Sequence, residues 1–227
     1  MESTRPLEPA APSALDELAR DDSSRKRFLR MAGGSAVAAG LSAVLSACGS
    51  SKGKNATAKG SAVGPLASYG PGDVGVLNYA LSLEQLEAAF YAAALASRKL
   101  TGANLALARQ FAAEEVQHGI ALSAAVRRLG GTPVKPQKAT FPLGTEQVIL
   151  GTASSLEDLG AGAYLGQIDR IESKEVLALV LSIHTVEGRH AAAIATAIGR
   201  PVTPNGPFAK PISAVDVQGQ IQTYLAG

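Results

Sequence analysis

A single cysteine in 227 residues excludes an internal disulfide and any zinc site built from paired thiolates. Tryptophan is absent and aromatic residues make up only 4% of the chain, so small aliphatic side chains must build much of the core. Charge is sparse as well. The net charge is +2 and the basic residues are scattered, which leaves no footprint for nucleic acid. No long apolar run is present: the Ala/Gly-rich uncharged stretch from Met31 to Ala47 is 17 residues and is diluted by Gly33, Gly34 and Gly40. That is short and weak for a membrane-spanning helix. What remains abundant is alanine and leucine within a 46% apolar composition, the makings of a helical scaffold in one domain of ample size.

The first 47 residues read as an export signal. Ser24-Arg25-Lys26-Arg27-Phe28-Leu29-Arg30 precedes the Ala/Gly-rich stretch and resembles a twin-arginine signal with lysine in place of the second arginine; a general secretory signal also fits. Leu45-Ser46-Ala47-Cys48 resembles a bacterial lipobox, in which the cysteine is acylated and becomes the first mature residue. The alternative for Cys48 is an incidental buried thiol, which its place before a Gly/Ser/Lys-rich tether disfavours. The expected organisation is a signal at 1–47, a flexible tether at 48–70, a helical bundle at 71–200 and an extension with a short helix at 201–227. Export with acylation would place the domain in the cell envelope, held at the membrane by a lipid anchor rather than by a helix.

Four long helices are predicted in the bundle. The first starts near Pro71-Gly72-Asp73, with Asp73 as its expected cap, and runs to about Ser97. Leu77, Ala80, Leu81, Leu83, Leu86 and Phe90 recur along it with a period near 3.6. The second spans about 103–129 and stops at Gly130-Gly131-Thr132-Pro133. A connection containing Pro133, Pro136 and Pro142 is long enough to cross from one end of a bundle to the other. The third helix is expected over 145–171, the fourth over 174–198 and a minor fifth near 215–225.

Two of the three histidines follow a glutamate by three residues, in Glu115-Val116-Gln117-His118 and Glu187-Gly188-Arg189-His190. On a helix this spacing puts carboxylate and imidazole on one face, one turn apart, where they can share a metal ion. The chain also repeats. Ser82-Leu83-Glu84-x-Leu86-x-Ala88-x-x-Tyr91 returns 73 residues later as Ser155-Leu156-Glu157-x-Leu159-x-Ala161-x-x-Tyr164, and the two Glu-x-x-His quartets are 72 apart. Glu84 thus has a counterpart in Glu157, whereas Glu87 is matched by Gly160. A pseudo-twofold bundle would turn the two Glu-x-x-His faces toward each other.

These motifs resemble the ferritin-like di-iron carboxylate family, in which two helices each give one Glu and two others each give a Glu-x-x-His pair. Within it the chain is similar to bacterial ferritin-like domains grouped with desiccation-related proteins, through Leu83-Glu84-Gln85-Leu86-Glu87-Ala88-Ala89-Phe90-Tyr91 and Glu187-Gly188-Arg189-His190-Ala191. The resemblance covers about 72–200. It implies an all-α, antiparallel four-helix bundle with a long crossover between helices 2 and 3. It also implies two iron or manganese ions held by Glu84, Glu115, His118, Glu157, Glu187 and His190, with Glu115 and Glu187 bridging.

A helical glutamate taken alone is usually a solvated surface residue. Glu87 and Glu114 are expected to obey that rule, being displaced by about 100° or more from the neighbouring ligand, although either is within reach as an extra ligand. His184 is expected to pack or to support the ligands. Core packing is the default for Tyr91 and Tyr164, with a hydrogen bond to a ligand as the alternative. The family's chemistries imply ferrous iron, peroxide or dioxygen as small partners. A single cysteine leaves no room for a rubredoxin-type module, and a lipid tether on every subunit fits a closed storage shell poorly; other self-association is left open. The expectation is therefore iron oxidation or peroxide handling at the membrane, against a non-catalytic stress or scaffold protein of the envelope.

Overall fold

The structure, a computed structural model, describes residues 66–225. The export signal, Cys48 and most of the expected tether lie outside the described residues. Among the described residues there are five α-helices: α1 (Gly72–Ala96), α2 (Gly102–Arg128), α3 (Glu146–Leu165), α4 (Lys174–Ala197) and α5 (Ala214–Ile221), with 3-10 turns at Ala67–Tyr69 and Ile168–Arg170. No strand occurs among the described residues, and one isolated antiparallel bridge joins Ala139 to Leu225. The domain is all-helical, as the composition leads one to expect. No helix among the described residues is long and apolar enough to cross a membrane.

The contacts give each helix its direction. Along α1 and α2, Glu84 meets His118 and Tyr91 meets Phe111, so the two run antiparallel. Tyr91 reaches Glu157 and Tyr164 reaches Glu84, which makes α1 and α3 antiparallel as well. Across α2 and α4, His118 faces Glu187 while Glu114 faces His190. Both α2 and α3 therefore oppose α1, and the segment between them must travel the length of the bundle to start α3 in the same direction.

Hydrogen bonds pin that segment along α1. Near one end Asn78 Nδ2 donates to the carbonyls of Tyr69 (2.9 Å) and Thr132 (3.0 Å), and its Oδ1 accepts from the Val134 amide. Midway, Gln85 Nε2 donates to Val134 O. At the far end Lys99 Nζ donates to the carbonyls of Leu143 and Gly144, and Glu146 accepts from the Thr101 amide and Asn104 Nδ2.

The helix ends follow local chemistry, with one reassignment. Thr145 and Ser173 cap α3 and α4 by accepting from the amides of Val148 and Val176. Asp73 does not cap α1; its carboxylate accepts from the amides of Glu172 (2.9 Å) and Ser173 (2.8 Å), at the start of α4. Helix α3 stops at Leu165 rather than near 171, and a 3-10 turn takes over at Ile168. A Cβ on Gly166 would collide with the backbone carbonyl of Ile212, so the C-terminal extension packs directly against this end. Residues 66–70, at the edge of the expected tether, fold onto α1, with Leu66 buried in the core.

Two apolar clusters fill the bundle. One gathers Phe90, Phe111, Ile149, Leu156 and Ile194 with Val217 and Ile221 of α5. The other joins Leu77, Leu81, Leu122, Val126, Val180 and Ile183. Each fully buried aliphatic side chain of this kind stabilises the fold by about 1.5–3 kcal/mol. A layer of acid and imidazole is buried within the same bundle.

Candidate metal centre

Helical spacing explains how four rods deliver six polar side chains to one layer. Glu84 points inward from α1 with Leu77, Leu81 and Tyr91 on the same buried face, and Glu157 does the same on α3 with Ala153 and Tyr164. On α2 and α4 each Glu-x-x-His pair spans one turn. Glu84, Glu115, Glu157 and Glu187 are all 0% exposed, and His190 is 2% exposed.

The structure brings the six together in two overlapping groups. Glu84, Glu115, His118 and Glu187 form one; Glu115, Glu157, Glu187 and His190 form the other, with the donor atoms of each group within 4.8 Å of one another. Glu115 and Glu187 belong to both. His118 Nδ1 stands 3.0 Å from Glu84 Oε2, 3.1 Å from Glu115 Oε2 and 3.1 Å from Glu187 Oε1. His190 Nδ1 stands 2.9 Å from Glu115 Oε1 and 3.3 Å from Glu157 Oε2.

Proximity here is not the same as pairing. Glu115 Oε1, Glu157 Oε2, both oxygens of Glu187 and His190 Nδ1 are buried without a hydrogen-bond partner. They converge on one another without hydrogen bonds of good geometry. A buried carboxylate in that condition is costly unless a cation joins it. The donor set, all carboxylate oxygen and imidazole nitrogen, suits divalent iron or manganese.

The protonation pattern has the same origin. Burial raises Glu84 well above the usual carboxylate range, and repulsion from Glu187 adds to it. Burial and the neighbouring carboxylates bring Glu187 to about 8 despite the opposing pull of His118 close by. Burial also lifts Glu157, against the nearby His190 imidazole. Glu115 is the exception: burial acts upward, but the two histidines beside it hold it at about 2. Burial acts downward on both histidines, yet the carboxylates around them raise His118 to about 12 and His190 to about 11.

The ligands' neighbours follow the repeat in a crossed fashion. The Tyr91 hydroxyl of the first repeat donates to Glu157 of the second, and the Tyr164 hydroxyl of the second donates to Glu84 of the first. Both phenols are buried and held in the neutral form, principally by burial and then by the adjacent carboxylate. They pack in the core and hydrogen-bond the site at once. His184 stands apart from both metal-capable groups; burial lowers it, and a backbone hydrogen bond with Ala161 opposes that.

Of two glutamates expected at the surface, one is buried and the other is tied to the site. Glu87 is 2% exposed. Glu114 is partly exposed, but its Oε2 lies 2.7 Å from His190 Nε2, so it fixes the ring from behind while Nδ1 faces the carboxylates. Phe111 stacks on the same imidazole at a centroid distance of 3.9 Å. Angular offset along a single helix places Glu87 and Glu114 off the ligand face; it cannot register that α3 and α4 pack against that flank. For Glu87 one signal was available, since Gly160 at the matching repeat position leaves the room it occupies.

No curated protein matches the chain. The model of the ferritin-like domain family matches residues 72–200, from the first residues of α1 to just past the end of α4. That interval contains all four rods and all six converging side chains, it is more than half of the sequence, and the chain belongs to the ferritin-like domain family.

Proposed function

We propose that the bundle holds two divalent ions, iron or manganese, and acts on ferrous iron, peroxide or dioxygen at the outer side of the cell membrane. Glu115 and Glu187 would bridge the ions, Glu84 and His118 would complete one position, and Glu157 and His190 the other. The observation that carries this is the set of fully buried donor atoms with no hydrogen-bond partner, converging from four helices. Two divalent cations cancel the charge of four carboxylates and let the imidazoles act as neutral ligands.

Metals of this kind supply one-electron chemistry and Lewis acidity toward oxygen species. The chain supplies the rest. Tyr91 and Tyr164 hold the two terminal carboxylates through their hydroxyls, and Glu114 with Phe111 holds the His190 ring. The packed helices bury all four carboxylates completely and so keep bulk water from them.

The test is metal analysis of the full chain followed by ferrous-oxidation and peroxide assays. Two ions per chain with turnover is the expected result. Two ions without turnover would make this a metal-binding envelope protein and remove the oxidoreductase reading. Glu115→Ala combined with Glu187→Ala should abolish stoichiometric uptake; unchanged metal content in that variant would overturn the ligand set. The membrane location rests on the Cys48 lipobox and is tested separately. A palmitate label should mark the wild type and not Cys48→Ser, and labelling of both would remove the anchor.

A further inference from the structure

Among the described residues Glu87 is the one deeply buried acid that the proposed ligand set leaves unused. It lies one turn beyond Glu84 on α1, and its Oε2 has no hydrogen-bond partner. Glu87 and Gly160 meet a small cleft between α1, α3 and α5 whose other walls are Leu83, Leu86, Leu156, Leu159 and Ile221. Those walls offer no cation and no donor. A carboxylate kept ionised in such surroundings needs a compensating charge.

The geometry around it is built rather than accidental. A Cβ at position 160 would stand 2.7 Å from Glu87 Oε1 and 3.4 Å from Glu187 Oε2, so both oxygens press toward the same bare stretch of α3. Glu187 directs Oε1 at His118 Nδ1, 3.1 Å away, and leaves Oε2 for the Gly160 side. Because position 160 is the repeat partner of position 87, one half of the pseudo-twofold carries the carboxylate and the other provides its space.

We propose that Glu87 is a seventh ligand, a carboxylate donor that reaches the dinuclear centre beside Glu187 Oε2 through the gap left by Gly160. This rests on the dinuclear reading above. It makes the two metal positions unequal: the pseudo-symmetric pairs Glu84/Glu157 and His118/His190 serve both, while only one flank receives the extra oxygen. An ion on that flank gains a donor that opens toward the cleft under Ile221 rather than toward the closed middle of the bundle.

Cobalt(II) titration of the metal-free full chain tests this through stoichiometry, affinity and visible absorption. Wild type should take up two ions. Glu87→Gln should still take up two, with one bound about tenfold or more weakly and with a more intense visible band, as expected when a cobalt ion loses a ligand. Gly160→Ala should reproduce both changes, because its Cβ displaces the Glu87 carboxylate. Alanine favours the helix by up to about 1 kcal/mol over glycine, so this variant also decides the matter should Glu87→Gln fail to fold. Variants that match wild type in affinity and spectrum would overturn the Glu87 assignment and leave the six-ligand centre standing. A wild-type chain that takes up no cobalt would overturn both.

Discussion

At the scale of single residues, the crossed tyrosines show how a core side chain acquires a second task. Tyr91 and Tyr164 each lie seven residues after a glutamate of their own helix, yet each hydroxyl serves the glutamate of the other repeat. A phenol places its ring in the apolar cluster and its oxygen in the polar layer, which no aliphatic residue can do. Removing one hydroxyl leaves a carboxylate oxygen with less restraint and no donor. Tyr91→Phe and Tyr164→Phe should each keep two metal ions but bind them about 10- to 100-fold more weakly, by the usual cost of losing a ligand's hydrogen-bonding neighbour. Isothermal titration of the chelated protein with manganese reads this directly, and affinities equal to wild type would reduce both tyrosines to packing. Glu114→Gln belongs here too. Its amide cannot supply the negative charge that Glu114 places 2.7 Å from His190 Nε2. The variant should therefore weaken metal binding while His118→Ala and wild type bracket it.

Individual helices are joined by polar clamps at their ends rather than by propensity alone. Asp73 at the start of α1 accepts two amides at the start of α4, tying elements that are 99 and 100 residues apart in sequence. A carboxylate satisfying two exposed-end amides contributes about as much as a helix cap. Asp73→Ala should lower unfolding free energy by about 1 kcal/mol without altering metal stoichiometry. Urea denaturation gives the value, and an unchanged midpoint would show that the amides find water equally well. Asn78 clamps the crossover through three hydrogen bonds to Tyr69, Thr132 and Val134. Asn78→Ala strands buried backbone groups, and its expected cost is larger, about 1–3 kcal/mol.

For the molecule as a whole, the acid layer sets how stability depends on pH. Glu84, Glu87, Glu157 and Glu187 are raised in the folded protein, so folding costs nothing extra below about 4.5 and increasingly more as pH climbs through their folded values, about 8 for Glu187. His118 and His190 are also raised, to about 12 and about 11, so the stability they contribute is complete below 6.5 and drains away above it. Glu115 works in the opposite sense: held at about 2, it stabilises the fold above 4.5 and loses that as pH falls toward 2. The chelated protein should therefore be most stable near pH 5 and melt several degrees lower at pH 9. Manganese at about 100 times its dissociation constant should restore about 2.7 kcal/mol at neutral pH. A melting temperature that is flat or rises between pH 5 and 9 would contradict this account of the layer.

Periodicity and the internal repeat were enough to read the all-helical class and the four long helices, the third of them drawn too long at its end; the six side chains that meet in the middle needed the family resemblance as well. Those features are local: an apolar repeat near 3.6 or a Glu-x-x-His turn carries its own direction wherever the helix packs. The sequence alone could not place residues whose environment is made by a different rod. Asp73 looked like a cap for its own helix and serves another; α3 ends early because the chain near Ile212 closes on Gly166. Glu87 and Glu114 sit on flanks that count as outer on an isolated helix, and become inner or half-inner only when α3 and α4 pack against them. Which acids are buried, which phenol meets which carboxylate and which flank has room for one more ligand are decided by packing between helices, because burial is a property of the neighbours and not of the residue itself.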